Sequence, residues 1–420
     1  MRHRSSAHLL GANPGDALKQ SGRGATSGRS AHRLRSGLVI LEAALSLILL
    51  IGAALLIRSF AAVLATPPGF DPAGVTIVRT SFNRHRYSEA ARRHTAEREI
   101  VERLRHLPGV TQVSLTTHIP IADEREIGFV IEGRDLNDGH WADNALVDGS
   151  YFSTMRIPIM RGRTFDDRDN PAAPMTTVIN ETMAHQYWPN EDPIGKRIHW
   201  GGRPLTIVGI AGDVHLESLD VRPKPTIYSS VYQIESGAST SAVFIFRTST
   251  PSAAHDLGAQ ARKIIWSIDP GLPVFETASM EGIVNHSLAG RRFTVLILAA
   301  FASLALGLAS IGLYGVLAYM VTQRTRELGV RLALGADPRR LLLEIAGGGM
   351  RLALVGLLFG SIAGALLAKS MSRLLFGVQP LDLLSFATAA GALLIAAACA
   401  ATLPALRASR VDPMTALRCE

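Results

Sequence analysis

LVILEAALSLILLIGAALLI, residues 38–57, is an apolar run of about 20 residues, which at about 1.5 Å per residue covers the roughly 30 Å hydrocarbon core of a bilayer. Three further runs follow, near residues 293–320, 351–368 and 383–406. Lipid offers the backbone no hydrogen-bond partner, so each run is expected to be a helix and the chain a four-span membrane protein. Basic flanks give the first run something in common with a secretory signal. It exceeds the usual apolar length of one, however, and no small-x-small cleavage site follows, so it reads as an anchor. The second run is longer than the core requires, long enough to tilt or to project as a rigid stalk.

The distribution of charge orients these runs. The chain has 43 Lys and Arg against 35 Asp and Glu, a net charge of +8. Such an excess can mark a nucleic-acid binder, but here the arginines sit beside apolar runs, which favours the lipid bilayer as partner over nucleic acid. The loop after the second run carries Arg324, Arg326, Arg331, Arg339 and Arg340, whereas the loop after the third has only Lys369 and Arg373. The positive-inside rule then puts the N-terminus, the Arg-rich loop and the C-terminus in the cytoplasm, and the long region between the first two runs outside. Only two cysteines occur, Cys399 in an apolar run and Cys419 in the tail, so the soluble region has no disulfide framework.

Within the spans, Gly356, Gly360 and Gly364 recur every fourth residue, a spacing that lets helix backbones approach closely. Glu42 is an acid about one turn inside the first span. A relay or pairing role is one reading; its place near the cytoplasmic end, within reach of headgroups or an arginine, favours the other.

In the soluble region, strand-like runs (VTIVRTSF, VTQVSLTT, MTTVIN, LTIVGIAGDV, SAVFIFRT) alternate with helical ones, which argues for an α+β or α/β domain. Strand–helix–strand runs at residues 75–117 and 242–276 flank a middle segment that could be an insertion. Catalytic and metal patterns are missing: there is no HExxH, GxSxG, CxxC or GxxxxGK[ST], and the 13 histidines show no ligand spacing. FDDRDNP and NEDP lack calcium-loop spacing and read as solvated turns.

Longer motifs carry a resemblance. YFSTMRIPIMRGRTF, VINETMAHQYWPNEDPIGKRIHWGG and IVGIAGDVHLESLDVRPKPTIY resemble the periplasmic core domain of MacB-like permeases. GLYGVLAYMVTQRTRELGVRLALGADPRRLL and LPALRASRVDPMTALR resemble the FtsX-like permease domain, and the likeness covers residues 34–418. It implies a permease subunit of an ABC-type export system, in the bacterial inner membrane with both termini cytoplasmic, neither an enzyme nor in need of a cofactor. Its implied partners are a separate ABC ATPase, a second permease copy or half, and a periplasmic adaptor. It also implies that the stretch after the second span docks on the ATPase, through Arg326, Glu327, Arg331, Asp337, Pro338 and Arg339. The residues suit that role, since Gly335 can close one helix while Asp337 and Pro338 open the next as N-cap and first helical residue. The same architecture could instead activate a periplasmic cell-wall hydrolase; a membrane-anchored enzyme is the weakest reading, for want of a nucleophile, base and orienter.

NPGDALK at residues 13–19 parallels DPMTALR at 412–418, and the Gly/Ser/Arg-rich stretch between the first motif and the first span has linker composition. This resembles the junction of duplicated "orphan" (ADOP-type) permeases, with the present chain as the second unit; Glu42 departs from the amide usual in that pattern. The expected fold is thus an α-helical membrane domain of four transmembrane helices plus an extracytoplasmic α+β MacB-like periplasmic core domain inserted between helices 1 and 2. Its expected parts are a linker (1–36), helix 1 (37–58), core domain (59–290), helix 2 and stalk (291–322) and coupling elbow (323–350). Helix 3 (351–368), a short external loop (369–382), helix 4 (383–406) and a cytoplasmic tail (407–420) complete it.

Overall fold

The computed structural model describes residues 24–409, apart from 124, 135–138, 234–240, 250–253, 324–326, 328–329, 332–333 and 335–336. The paired motifs at 13–19 and 412–418, together with Arg326 and Gly335, lie outside the described residues. The chain divides into two compact units, residues 63–292 and the helical remainder.

In chain order the elements begin with α1 (Gly24–Leu64), β1 (Val75–Ser81), α2 (Ala90–Arg105), β2 (Val110–Thr116), β3 (Glu126–Ile131) and β4 (His140–Val147). Next come α3 (Tyr151–Met155), β5 (Ile159–Gly162), β6 (Thr176–Asn180), α4 (Glu181–Tyr187), β7 (Arg197–Trp200), β8 (Arg203–Ala211) and β9 (Thr226–Ser230). The last are β10 (Ser241–Thr248), α5 (Ala254–Ile268), β11 (Val274–Ser279), α6 (Met280–Ser287), α7 (Ala289–Gln323), α8 (Pro338–Ser370) and α9 (Leu383–Ser409).

The inserted unit has two halves. In the first, the strand–helix–strand runs β1–α2–β2 and β10–α5–β11 interleave in the order β11-β1-β10-β2, every neighbour antiparallel, which is a split βαβ arrangement. Apolar residues four apart, Ala96, Ile100 and Leu104 on α2 and Leu257, Ala261 and Ile265 on α5, press onto Val78, Val113, Phe244 and Phe246 of this sheet. The second half is a closed ring, β4-β3-β7-β8-β6-β9, completed by the parallel β9–β4 pair. Phe129, Ile179, Ile198, Leu205, Ile207 and Ile227 share its core with Met183 of α4. Closure leaves these six strands no open edge. One β2–β4 pair, Thr116 with Val147, joins the halves directly.

The helical unit holds α1, α7, α8 and α9, each containing a stretch long and apolar enough to cross a membrane. Large apolar side chains such as Phe301, Ile311, Phe359 and Leu366 are exposed on it. In water this would be an outsized apolar surface; against lipid it is the expected one. The helices outrun the apolar windows, because backbone hydrogen bonding continues past the point where hydrophobicity stops: α8 starts at Pro338, well before residue 351. Contacts fix the register. Ala43, Leu47 and Ile51 of α1 meet Gly356, Gly360 and Gly364 of α8 in ascending order, so these two helices run parallel. Arg35 stacks on Tyr319 at 4.2 Å and the Ser46 hydroxyl donates to the Ala305 carbonyl at 2.9 Å, in descending order, so α1 and α7 run antiparallel.

Candidate functional site

The loop between α7 and α8 holds the residues singled out from sequence. Glu327, Val330 and Arg331 are helical, and Leu334 donates its N–H to the Val330 carbonyl. Arg331 binds Glu327 one turn back at 2.5 Å and Glu344 on α8 at 3.4 Å, which fastens this helical piece to the next helix. The Asp337 carbonyl accepts from the N–H groups of Arg340 and Leu341, putting Asp337 at the N-cap position, with Pro338 and Arg339 as the first helical residues. Glu327, Arg331 and Asp337 are all exposed. So is Leu334, at 82%, beside the exposed Val330. These two apolar residues were missed from sequence, although their place on either side of Arg331 in GVRLALG was a usable signal.

The glycine stripe lies in the α1–α8 seam. A Cβ on Gly356 would stand 2.6 Å from the Ala43 Cβ, one on Gly360 2.9 Å from the Ala44 carbonyl oxygen, and one on Gly364 2.8 Å from Ile51 Cδ1. At Gly356 and Gly360 the close atoms are backbone or Cβ atoms that cannot swing aside, so a side chain there would force the helices apart, whereas at Gly364 the mobile end of Ile51 could give way. At the far end of the same helices, Arg58 of α1 pairs with Asp382, which also caps α9 by accepting from the Ser385 N–H at 2.8 Å. Hydrogen bonds from Ser385, and then from Arg58, hold the Asp382 carboxyl down at about 2.

In the inserted unit, a cleft of about 880 Å³ opens between α2 and the ring half. Arg98, Glu102 and Arg105 form one wall, Asp166 and Asp167 the other, and Asp148, Ser150 and Tyr232 the floor. Burial pushes the Asp148 carboxyl up to about 6, against hydrogen bonds from Ser114 and the Ser150 N–H. Behind the cleft, burial raises Glu97 to about 7 and lowers His94 to about 4, the latter helped by Arg93 and Arg98. Where the chain enters the unit, buried Arg247 donates to the carbonyls of Asp71, Ala73 and Thr154 at 2.7 to 2.8 Å, pinning the entry segment to β10 and α3. Among the described residues no group of three His, Cys, Asp or Glu side chains gathers to hold a metal.

Residues 36–264 match the MacB-like periplasmic core domain family, and residues 299–413 the FtsX-like permease C-terminal family. Among curated relatives, the uncharacterized ABC transporter permease YknZ of Bacillus subtilis is 26% identical over 343 residues, covering 79% of this chain and 81% of that one. YvrN of the same organism, another uncharacterized ABC transporter permease, is 25% identical over 65% of this chain and 69% of its own. The macrolide export ATP-binding/permease protein MacB of Shigella flexneri is 27% identical over 64% of this chain, but only 42% of MacB is spanned. The solved periplasmic region of MacB from Actinobacillus actinomycetemcomitans aligns with 54% of this chain and 97% of itself, at 15% identity and a TM-score of 0.37. The extracellular domain of YknZ aligns with 48% of this chain at 17% identity and a TM-score of 0.35.

Proposed function

Since the chain belongs to the ABC transporter permeases built from a MacB-like periplasmic core domain and an FtsX-like C-terminal domain, we propose that it is a mechanotransmission subunit for export. ATP hydrolysis on an ABC ATPase moves the elbow between α7 and α8, and the helices carry that motion to the core domain. In this reading the elbow and both termini are cytoplasmic, in the bacterial inner membrane, and the core domain is outside, as the arginine asymmetry favours. A second permease copy or half and a periplasmic adaptor complete the assembly.

The observation that carries the proposal is the elbow. An exposed surface of mixed character, Val330 and Leu334 beside Glu327 and Arg331, stands at the head of a helix unbroken from Pro338 to Ser370. An apolar anchor ringed by charge suits docking into a groove on a partner, and an unbroken helix moves as a rigid rod. On the other side of the elbow, α7 is continuous from Ala289, two residues past the end of α6 in the core domain.

Co-reconstitution of the full chain with a candidate ABC ATPase tests this. Leu334→Asp is expected to abolish most binding and stimulated hydrolysis at any salt. Arg331→Glu is expected to weaken docking most at low salt, since exposed pairs are screened over roughly 10 Å at 0.1 M. Parent-like binding and stimulation by both correctly inserted variants would remove the elbow from the mechanism.

A further inference from the structure

Glu42 lies inside the apolar stretch of α1. A carboxylate at such a place must find a cation, reach water, or exist as the uncharged acid. The packing discriminates among the three.

The Arg35–Tyr319 and Ser46–Ala305 contacts bracket Glu42 and set it opposite Gly312 of α7. Its carboxyl group fills the space a side chain at 312 would need: a Cβ on Gly312 would stand 3.2 Å from the carboxyl carbon and collide with Oε2. The side chain is therefore packed into the seam between α1 and α7.

Among the described residues no cation is at hand either. Arg35 is seven residues away, about 10 Å along the helix, with its guanidinium on the Tyr319 ring. From α7 the titratable neighbours are Tyr314 and Tyr319. On α8, Glu344 is engaged by Arg331, and Arg351, exposed and five residues before Gly356, lies on the face turned away from the glycine stripe. Among the described side chains of α9, the titratable one is the exposed Cys399. Val39, Leu313, Leu317, Ala353 and Ala397 form the apolar layer next to Glu42. Among the described residues Glu42 makes no ion pair or hydrogen bond.

We propose that Glu42 and the notch at Gly312 form a proton-binding site within the membrane, in which Glu42 sits as the carboxylic acid, having taken one proton from water, and releases it only when α1 and α7 part. α1 leads into the core domain and α7 leads out of it, so separation of this pair exposes the acid to water and couples protonation to helix movement. The site stands on packing alone, independently of the elbow.

Infrared difference spectra of the full chain in lipid vesicles, parent minus Glu42→Gln, read the species directly, because Gln preserves size and removes the acid. At pH 7 the expected result is a deuterium-sensitive carboxylic acid C=O band present in the parent and lost in the variant. Gly312→Ala fills the notch and is expected to lower the midpoint at which the band titrates by about one pH unit, a tenfold weaker hold on the proton. Dicyclohexylcarbodiimide, a lipid-soluble reagent for protonated carboxyls, is expected to modify the Glu42 peptide at pH 7. A difference spectrum with only carboxylate bands at pH 7 would overturn the proposal, placing the group in water or against Arg351. An unmoved titration in Gly312→Ala would overturn the role of the notch.

Discussion

The two units hold themselves together by opposite means. In the inserted unit large side chains leave water, and buried polar groups such as Asn180, Asp148 and Arg247 are knitted into dense hydrogen-bond sets. In the helical unit glycines and alanines let backbones touch beside buried leucines such as Leu47 and Leu317, and among the described residues polar ties such as Ser46 to Ala305 are few. Lipid tails are as apolar as leucine, so burying leucine between helices gains little there, and specificity shifts to shape. The same kind of substitution should therefore have different consequences in the two units.

Asn180→Ala should give the largest effect. Asn180 donates to Asp213 and the Lys224 carbonyl and accepts from the N–H groups of Met183 and Thr226, all within 3.0 Å. Its loss strands several buried groups and should cost about 3 kcal/mol or more. All four tryptophans, Trp141, Trp188, Trp200 and Trp266, lie in the inserted unit, so denaturation followed by their fluorescence isolates it. Next is Gly360→Leu, where shape rather than chemistry is spoiled. Overpacking of the α1–α8 seam should cost about 1–3 kcal/mol, measured as a lower detergent threshold for loss of a Leu47→Cys cross-link to α8, with tryptophan unfolding unchanged.

A third effect depends on pH. Burial raises Glu97 to about 7 in the folded unit, so the stability it contributes is complete below its ordinary value near 4.5 and is lost as pH rises through 7. Glu97→Gln should gain on the parent by on the order of 2–3 kcal/mol between pH 5 and pH 8. Comparing the two proteins cancels His94, whose lowered value makes it act in the opposite sense between about 4 and 6.5. A constant gap between parent and variant would show that Glu97 is not buried as a charge. The smallest effect is expected from Ser46→Ala. It deletes a polar contact, as Asn180→Ala does, but at about 0.6 kcal/mol in the same detergent titration; a loss as large as that of Asn180→Ala would erase the contrast between the units.

How far the sequence showed all this depends on the range of the interaction. The spans, the glycine stripe and the Asp337–Pro338 helix start are local patterns and were legible as such. The flanking strand–helix–strand runs were visible too. Ring closure was not, because the parallel β4–β9 pair joins Asp143 to Thr226, and strand composition carries no register over that separation. Nor could sequence tell which way Glu42 faces, since that follows from the rotation of α1 against α7. Leu334 was overlooked because an apolar residue among arginines was read for its charged neighbours.

The central claim, that motion at the elbow reaches the core domain, is tested most directly by the same tryptophans. In vesicles holding the full chain and a tryptophan-free partner ATPase, the account predicts that ATP turnover changes the core-domain emission and that Leu334→Asp abolishes the change. Emission that stays constant through turnover, while the parent chain remains bound to the ATPase, would contradict it.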